Sequence, residues 1–310
     1  MVPPAKCHTD AVTAFFATAL RQQLAVRNRI YARRHALAHV ESYGESPVVV
    51  YQPNDGGTSH GNFLPASFQA IMGDERWRKR LDKVHTTART ALPQADRRWR
   101  ETDSCMSSDA LLMNLLCHPA LPEQKSFWSM LGLENPALPD FGFRARVPLV
   151  SGGTDRTEVD ARIGDLLIEA KLTESNFQFQ SEDVLDRYRD FGEVFATDLL
   201  PRTPKGIAGY QLIRNVLAAY ALQCRFCVLL DARRPDLIEQ WYAVMRCVRD
   251  ADMRTRCAVL TWQELTQVVP QELQTFLDEK YGIVAPGSQP SLLEPDDETA
   301  TQPFAVLPEA

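Results

Sequence analysis

The sequence predicts an α/β fold, in which helices flank a mixed β-sheet and a mainly helical extension precedes it. Three observations indicate this class. A helical period fills residues 9–40 without an internal proline or glycine. Strand patterns then occupy residues 141–171. Two short apolar strands, "RFCVLLDA" and "CAVLT", finally alternate with helical segments, and the order helices, three strands, helices, strand, helix, strand fits an α/β sandwich.

The first helical pattern begins near Asp10 and forms either one long helix or two helices in sequence. "SPVVVYQPNDGGTSHGN" predicts a short strand followed by a loop, and "PASFQAIMG" predicts a short helix. Five arginines decorate the first helix: Arg21, Arg27, Arg29, Arg33 and Arg34.

A basic segment follows between Arg76 and Arg100, where nine lysines and arginines accompany only two acids, with Trp77 and Trp99 interleaved. Such a segment can grip a nucleic-acid backbone by releasing counterions. The alternative is a solvated helical face, since the formal net charge of the chain is -6 and argues against a uniformly basic coat. The basic residues are Arg76, Arg78, Lys79, Arg80, Lys83, Arg89, Arg97, Arg98 and Arg100.

The middle of the chain begins with a buried helix in "SCMSSDALLMNLLCHPA", where Ser107 or Ser108 can cap the helix and Asp109 lies in its first turn. The alternation in "FGFRARVPL" predicts one edge strand. Further helices are predicted near residues 184–195, 207–223 and 235–248, and up to residue 281. The apolar face of the predicted strand comprises Phe141, Phe143, Ala145, Val147 and Leu149.

Three regions are predicted: a mainly helical N-terminal extension at residues 1–100, a core at 101–283 and a tail at 284–310. No basic residue follows Lys280, while five acids do, so the tail is expected to be acidic and disordered. Seven cysteines and a polar N-terminus argue against a disulfide framework and a secretion signal. We therefore expect a cytoplasmic protein that does not enter a membrane.

The segment "EVDARIGDLLIEAK" predicts a hairpin with charges on a core-like strand pair. Gly164 and Asp165 form the signature of a two-residue type II′ turn. That turn pairs Ile163 with Leu166, and the register then sets Asp160 opposite Glu169 and Glu158 opposite Lys171. By the two-residue period, one face of the first strand holds Glu158, Asp160 and Arg162, and the other holds Val159, Ala161 and Ile163.

Opposed carboxylates destabilise a hairpin by a few tenths to about 1 kcal/mol. A Mg²⁺ ion between Asp160 and Glu169, with Mn²⁺ as a substitute, would remove this conflict, because hard cations prefer oxygen ligands. Lys171 would then orient water and stabilise developing negative charge. Glu158 would hold Lys171 or bind a second ion. The alternative is a solvated surface hairpin in which Glu158 and Lys171 form a weak ion pair.

An acid followed by acid-any-Lys, here Asp160 and then Glu169-Ala170-Lys171, resembles the motif of the PD-(D/E)xK nuclease superfamily. The stretches "IEAKLTE", "YQLIRNVLAAY" and "SSDALLMN" also resemble a bacterial group of restriction endonucleases. The resemblance covers about residues 100–260. A literal Pro139-Asp140 precedes the first strand, and Asp160 is favoured over it.

The resemblance implies a restriction-endonuclease-like core and Mg²⁺-dependent hydrolysis of phosphodiester bonds in DNA. Carried over by position, Asp160 and Glu169 are metal ligands and Lys171 is the catalytic lysine. Gln211 resembles the Gln that several of these nucleases place near the metal. The residue four beyond Gln211 is Asn215, which departs from the Gln-to-Tyr spacing of the RecB-like branch.

Arg214, Glu158 and Asp109 are assigned to substrate binding. Arg214 shares a helix face with Gln211 and would point to phosphate or metal-bound water, or both residues belong to an ordinary polar stripe. Asp109 adds an acid to the site, or it is a simple helix-start acid. The partner expected is DNA, and a homodimer is left open. The alternative function is a non-catalytic module of the same fold that binds nucleic acid or protein through the basic segment.

Overall fold

The computed structural model describes residues 8–42, 47–83 and 100–292. Twelve α-helices lie in these ranges: α1 (His8–Arg34), α2 (Pro65–Gly73), α3 (Glu75–Arg80), α4 (Ser108–Leu116), α5 (Lys125–Met130), α6 (Glu182–Leu185), α7 (Phe191–Val194), α8 (Tyr210–Leu222), α9 (Pro235–Met245), α10 (Ala251–Thr255), α11 (Trp262–Thr266) and α12 (Gln271–Tyr281).

The same ranges contain fourteen short or medium strands. They are β1 (His39–Glu41), β2 (Val49–Tyr51), β3 (Pro53–Asn54), β4 (Ser59–His60), β5 (Asp140–Arg144), β6 (Val147–Pro148), β7 (Thr154–Asp155), β8 (Glu158–Ile163), β9 (Leu166–Ala170), β10 (Phe179–Gln180), β11 (Arg202–Thr203), β12 (Gly206–Ala208), β13 (Arg225–Leu230) and β14 (Cys257–Thr261).

The main sheet has five strands in the order β14-β13-β9-β8-β5. β13 runs parallel to both β14 and β9, whereas β8 is antiparallel to β9 and to β5. This confirms the predicted α/β fold with a mixed sheet. β9 is the middle strand and all five of its residues are buried, as its sequence "LLIEA" would require for a strand covered on both faces.

Helices cover both faces of this sheet and bury two large apolar cores. The first core joins α1, α4 and α12 to the sheet and includes Leu24, Leu112, Ile168 and Phe276. The second core joins α8 and α9 to the other face and includes Leu167, Val216 and Trp241. Residues on both sides of position 100 share the first core, and the predicted division into three regions remains a prediction.

The N-terminal helical pattern forms one helix, and this helix ends at Arg34 rather than near residue 40. α1 packs against α12 through a buried contact around Lys280. Lys280 Nζ donates to Asn28 Oδ1 at 2.9 Å and to the Gly61 carbonyl at 3.2 Å, and it lies 3.6 Å from the centre of the Tyr51 ring. Burial holds the pKa of Lys280 well below its usual range.

The single strand predicted in "FGFRARVPL" is wrong, because the segment divides into β5 and β6. Gly142 has φ 67° and Arg146 has φ 52°, and both values interrupt a regular pleat. Phe141 consequently packs against the first core, whereas Phe143 packs against the second.

No helix in the described ranges combines the length and the apolar character that crossing a bilayer requires. The described cysteines form no disulfide bonds. The predicted cytoplasmic location stays a prediction, and most of the predicted acidic tail, residues 293–310, lies outside the described residues.

Candidate functional site

The β8–β9 hairpin has the predicted register, with Ile163 paired to Leu166 and Ala161 paired to Ile168. Gly164 takes φ 57° in the turn, a conformation that glycine adopts without strain. The ladder of backbone pairs ends at Ala161 and Ile168, so Asp160 lies one position beyond it.

One residue of β8 differs from the sequence-based expectation. The two-residue period places Val159 on the same face as Ala161 and Ile163, but Val159 packs in the second core while they pack in the first. Between Ala161 and Val159 the pairing of β8 with β9 has ended and its pairing with β5 is interrupted opposite Gly142, which has φ 67°. The strands therefore part at the position of the acidic motif.

Asp160 bridges the two strands where they part. Its Oδ2 accepts a hydrogen bond from the Ala170 amide at 2.8 Å, so a side chain replaces the backbone pairing that would otherwise continue. Burial raises the pKa of Asp160 well above its usual range, and the negative charges of Glu169 and Asp109 raise it further. Negative charge at Asp160 is thus poorly compensated.

Glu169 lies on the buried middle strand, with 2 % of its surface exposed. Its Oε1 accepts from the Lys171 ammonium at 2.6 Å, and its Oε2 accepts from the Asn215 amide at 2.7 Å. Burial acts to raise the pKa of Glu169, but the charges of Lys171 and Arg214 and these two hydrogen bonds hold it below its usual range. Glu169 is therefore a carboxylate at neutral pH.

Lys171 directly follows β9 and is fixed at its backbone on both sides. Its amide donates to the Leu229 carbonyl at 2.8 Å, and its own carbonyl accepts from the Trp262 indole at 2.9 Å. Burial acts to lower the pKa of Lys171, but Glu169, Glu174 and Asp160 raise it above its usual value. The ammonium stays charged beside the acids.

α8 lays its polar face against this hairpin. Arg214 donates to the Glu158 carbonyl at 3.0 Å and to Asn215 Oδ1 at 2.8 Å, and Asn215 in turn holds Glu169. Gln211 begins the same face one turn earlier and is half-buried. Arg214 is buried and donates its hydrogen bonds to other groups of the protein, so it helps to hold the acidic residues in position.

The sequence-based assignment did not include Asn215 or Glu174. Asn215 departs from the Gln-to-Tyr spacing of the RecB-like branch, but its position four residues after Gln211 places both residues on one helix face. Glu174 lies in the quoted stretch "IEAKLTE". It accepts from Ser108 Oγ at 2.6 Å and from the Leu172 amide at 2.7 Å, which ties α4 to the segment after Lys171.

Asp109 lies in the first turn of α4, which Ser107 caps by accepting from the Ala110 amide. Its carboxylate contacts Arg80 and Lys83, each at 2.9 Å. Burial acts to raise the pKa of Asp109, but these two cations hold it below its usual range. Asp109 is close enough to raise the pKa of Asp160, so it belongs to the same cluster of charges.

Glu158 was expected to face Lys171 or a second ion, but its carboxylate accepts from Arg80 at 2.9 Å instead. Lys171 contacts Glu169, because the strands separate before Glu158 could reach it. Arg80 and Lys83 belong to the basic segment, for which a nucleic-acid grip and a solvated helical face are both open, and both residues contact acids of the cluster. Residues 84–99 of that basic segment lie outside the described residues.

Asp160 and Glu169 are the carboxylates that would hold a divalent metal ion at this end of the hairpin. Within the described ranges no group of three or more His, Cys, Asp or Glu side chains is placed to hold one. Asp160 meets a neutral amide and Glu169 meets an ammonium and an amide. The uncompensated charge at Asp160 and the oxygen donors fit Mg²⁺ or Mn²⁺, which keep their other positions for water and phosphate.

A family model described as Restriction Endonuclease associating with ARP matches residues 31–282, which is more than half of the chain. The matched range contains the hairpin, α4 and α8. Comparisons with curated proteins and with solved structures gave no match.

Proposed function

The chain belongs to the family described as Restriction Endonuclease associating with ARP, and we propose that it is a metal-dependent endodeoxyribonuclease of the PD-(D/E)xK type. The observation that carries this proposal is the meeting of Asp160, Glu169 and Lys171 where two central strands part. Family membership favours a nuclease, and this meeting of side chains supplies a place for the chemistry. The substrate proposed is DNA.

Asp160 and Glu169 are the proposed ligands of a Mg²⁺ ion, which Mn²⁺ can replace. When bound, the ion polarises a phosphoryl oxygen and lowers the pKa of water. The chain supplies the rest of the proposed chemistry. The oxygen of a water molecule forms a bond to phosphorus and that water gives up a proton to solvent. The bond between phosphorus and the ester oxygen breaks, and the departing ester oxygen takes up a proton from solvent.

Lys171 is proposed to orient the attacking water and to stabilise the negative charge that develops on the phosphate. A fixed ammonium in a site with little water stabilises such charge more strongly than one in solution. The Lys171 backbone is held by Leu229 and Trp262, so the ammonium needs little rearrangement. Its contact with Glu169 at 2.6 Å shows that it reaches the proposed metal ligand.

α8 is proposed to position the acids. Asn215 donates to the Glu169 carboxylate, and Arg214 donates to the Glu158 carbonyl. Gln211 lies one turn earlier on the same helix and is still proposed to lie near the metal. The earlier proposal that Arg214 binds substrate is replaced by this positioning role, because its guanidinium bonds are made within the protein. A homodimer remains open.

Mg²⁺ is expected to be required for cleavage, and this can be measured by incubating the full chain with supercoiled plasmid in Mg²⁺ and in EDTA. Nicked and linear products should appear only with the metal. In addition, Mg²⁺ at about 100 times its Kd should raise the free energy of unfolding by about 2.7 kcal/mol, because only the folded site binds it. Plasmid retardation without nicking in either buffer would replace the nuclease with a binding module of the same fold.

A further inference from the structure

We propose that Arg80 is a resident cation of this site that occupies the place of a second metal ion, so that the site takes one divalent cation and not two. This inference rests on the proposed nuclease function and concerns how that site is built. Two-metal sites in nucleases place acids around two cations, and the acids next to Asp160 could supply the second position. Arg80 already fills it.

The guanidinium of Arg80 bridges two carboxylates of different elements. Nη1 donates to Glu158 on β8 at 2.9 Å, and Nη2 donates to Asp109 on α4 at 2.9 Å. Arg80 has 8 % of its surface exposed and Asp109 has 2 %. A divalent cation between these two carboxylates would need the volume and the oxygen atoms that the guanidinium now uses.

Lys83 strengthens the same position. Its ammonium lies 2.9 Å from Asp109, 3.1 Å from Glu101 and 3.7 Å from Glu158. Two positive charges from the end of α3 and the turn after it therefore face the acids Asp109, Glu101 and Glu158. The three acids and two cations leave a net charge of only -1 there, so the attraction for a second divalent cation is weak.

A glycine makes room for this arrangement. Gly142 on β5 lies in the register position opposite Asp160, and its φ is 67°. A Cβ atom at Gly142 would lie 2.6 Å from Arg80 Nη1 and 3.2 Å from Glu158 Oε2. Any side chain would displace the guanidinium, so the backbone here is shaped around Arg80.

Asp160 stays outside this ion pairing. Arg80 is near enough that the charge of Asp160 contributes to raising the pKa of Arg80, but the Arg80 hydrogen bonds go to Asp109 and Glu158. Asp160 and Glu169 are thus the carboxylates left to bind one metal ion, because Arg80 and Lys83 already pair with the neighbouring acids.

The test is the number of Mn²⁺ ions that the full chain binds, measured by isothermal titration calorimetry. Wild type is expected to bind one equivalent, and Asp160→Asn is expected to bind none. Arg80→Gln frees Asp109 and Glu158 and should raise the number from one to two. Arg80→Lys keeps the positive charge and should bind one.

Arg76→Gln is the matched control, because Arg76 lies on the same helix but is exposed and contacts Asp74 alone among the ion pairs of the described residues. It should bind one equivalent. Two equivalents in wild type would overturn the inference, whether or not the Arg80 variants fold. One equivalent in folded Arg80→Gln would also overturn it while leaving the proposed function standing. No Mn²⁺ bound by wild type would overturn the proposed function itself.

Discussion

Replacement of Asp160 by asparagine is expected to slow DNA cleavage by at least about 10²- to 10³-fold, since removing even one preorganised hydrogen-bond donor that stabilises transition-state charge has an effect of this size. Asparagine keeps the size of the side chain and an oxygen that can accept from the Ala170 amide. It removes the negative charge that Asp160 would give to a metal and ends its repulsion with Glu169. The metal-free variant should therefore unfold at a temperature no lower than wild type.

Asp165→Asn is the matched control for this loss. Asp165 lies in the turn of the same hairpin, and its carboxylate contacts Arg225 on an exposed surface. Initial rates on supercoiled plasmid at saturating Mg²⁺ should match those of wild type for Asp165→Asn. Near-wild-type rates in folded Asp160→Asn protein would remove Asp160 from the chemistry.

Replacement of Asp109 by alanine is expected to lower the free energy of unfolding by about 3 kcal/mol. Breaking a buried ion pair by removing one partner costs about 3–5 kcal/mol, because the remaining charge is left without compensation. We expect a loss at the lower end of this range, because Arg80 still pairs with Glu158 and Lys83 still pairs with Glu101. Urea unfolding followed by circular dichroism measures this difference.

Glu75→Ala is the comparison for that substitution. Glu75 pairs with Lys79, and both residues lie on α3. Their side chains are exposed and the pair is screened by water. We expect no measurable change in unfolding there. If Asp109→Ala unfolds like Glu75→Ala, the charge cluster around Arg80 does not have the buried character described above.

Acid is expected to erase the stability that Asp109 provides. The folded pKa of Asp109 lies below the unfolded value of about 3.9, because Arg80 and Lys83 favour its carboxylate over burial. The contribution is therefore complete above about pH 4 and is lost as the pH falls through the folded pKa. The difference in free energy of unfolding between wild type and Asp109→Asn should be largest near neutral pH and should shrink below pH 4. A difference that grows in acid would show that the folded pKa of Asp109 is raised and not lowered.

The hairpin could be predicted because its determinants are local. Gly164 fixes the turn, and the apolar pattern fixes the register, so the pairing of Ile163 with Leu166 and of Ala161 with Ile168 followed from a few residues. The point where the strands part could not be predicted in the same way. It depends on Gly142 of β5 and on Asp160 taking the Ala170 amide, and these contacts join different strands.

The partners of the acids depend on the tertiary fold. Arg80 reaches Glu158 across 78 residues of sequence, and a basic segment gives no sign of which cations will turn inward. Asn215 shows the opposite case, since its place on the same helix face as Gln211 is visible in the sequence alone. A polar residue on the same helix face as a candidate site residue is therefore a better indication of the site than a match to a family motif at every position.

Joint binding of one divalent ion by Asp160 and Glu169 can be seen in crystals of the full chain grown with Mn²⁺, through anomalous scattering from the metal. We expect one anomalous peak within about 2.0–2.3 Å of a carboxylate oxygen from each residue, a range that extends slightly beyond the Mg²⁺ distances of about 2.0–2.1 Å. A peak that touches neither carboxylate, or no peak at a Mn²⁺ concentration that supports cleavage, would contradict it.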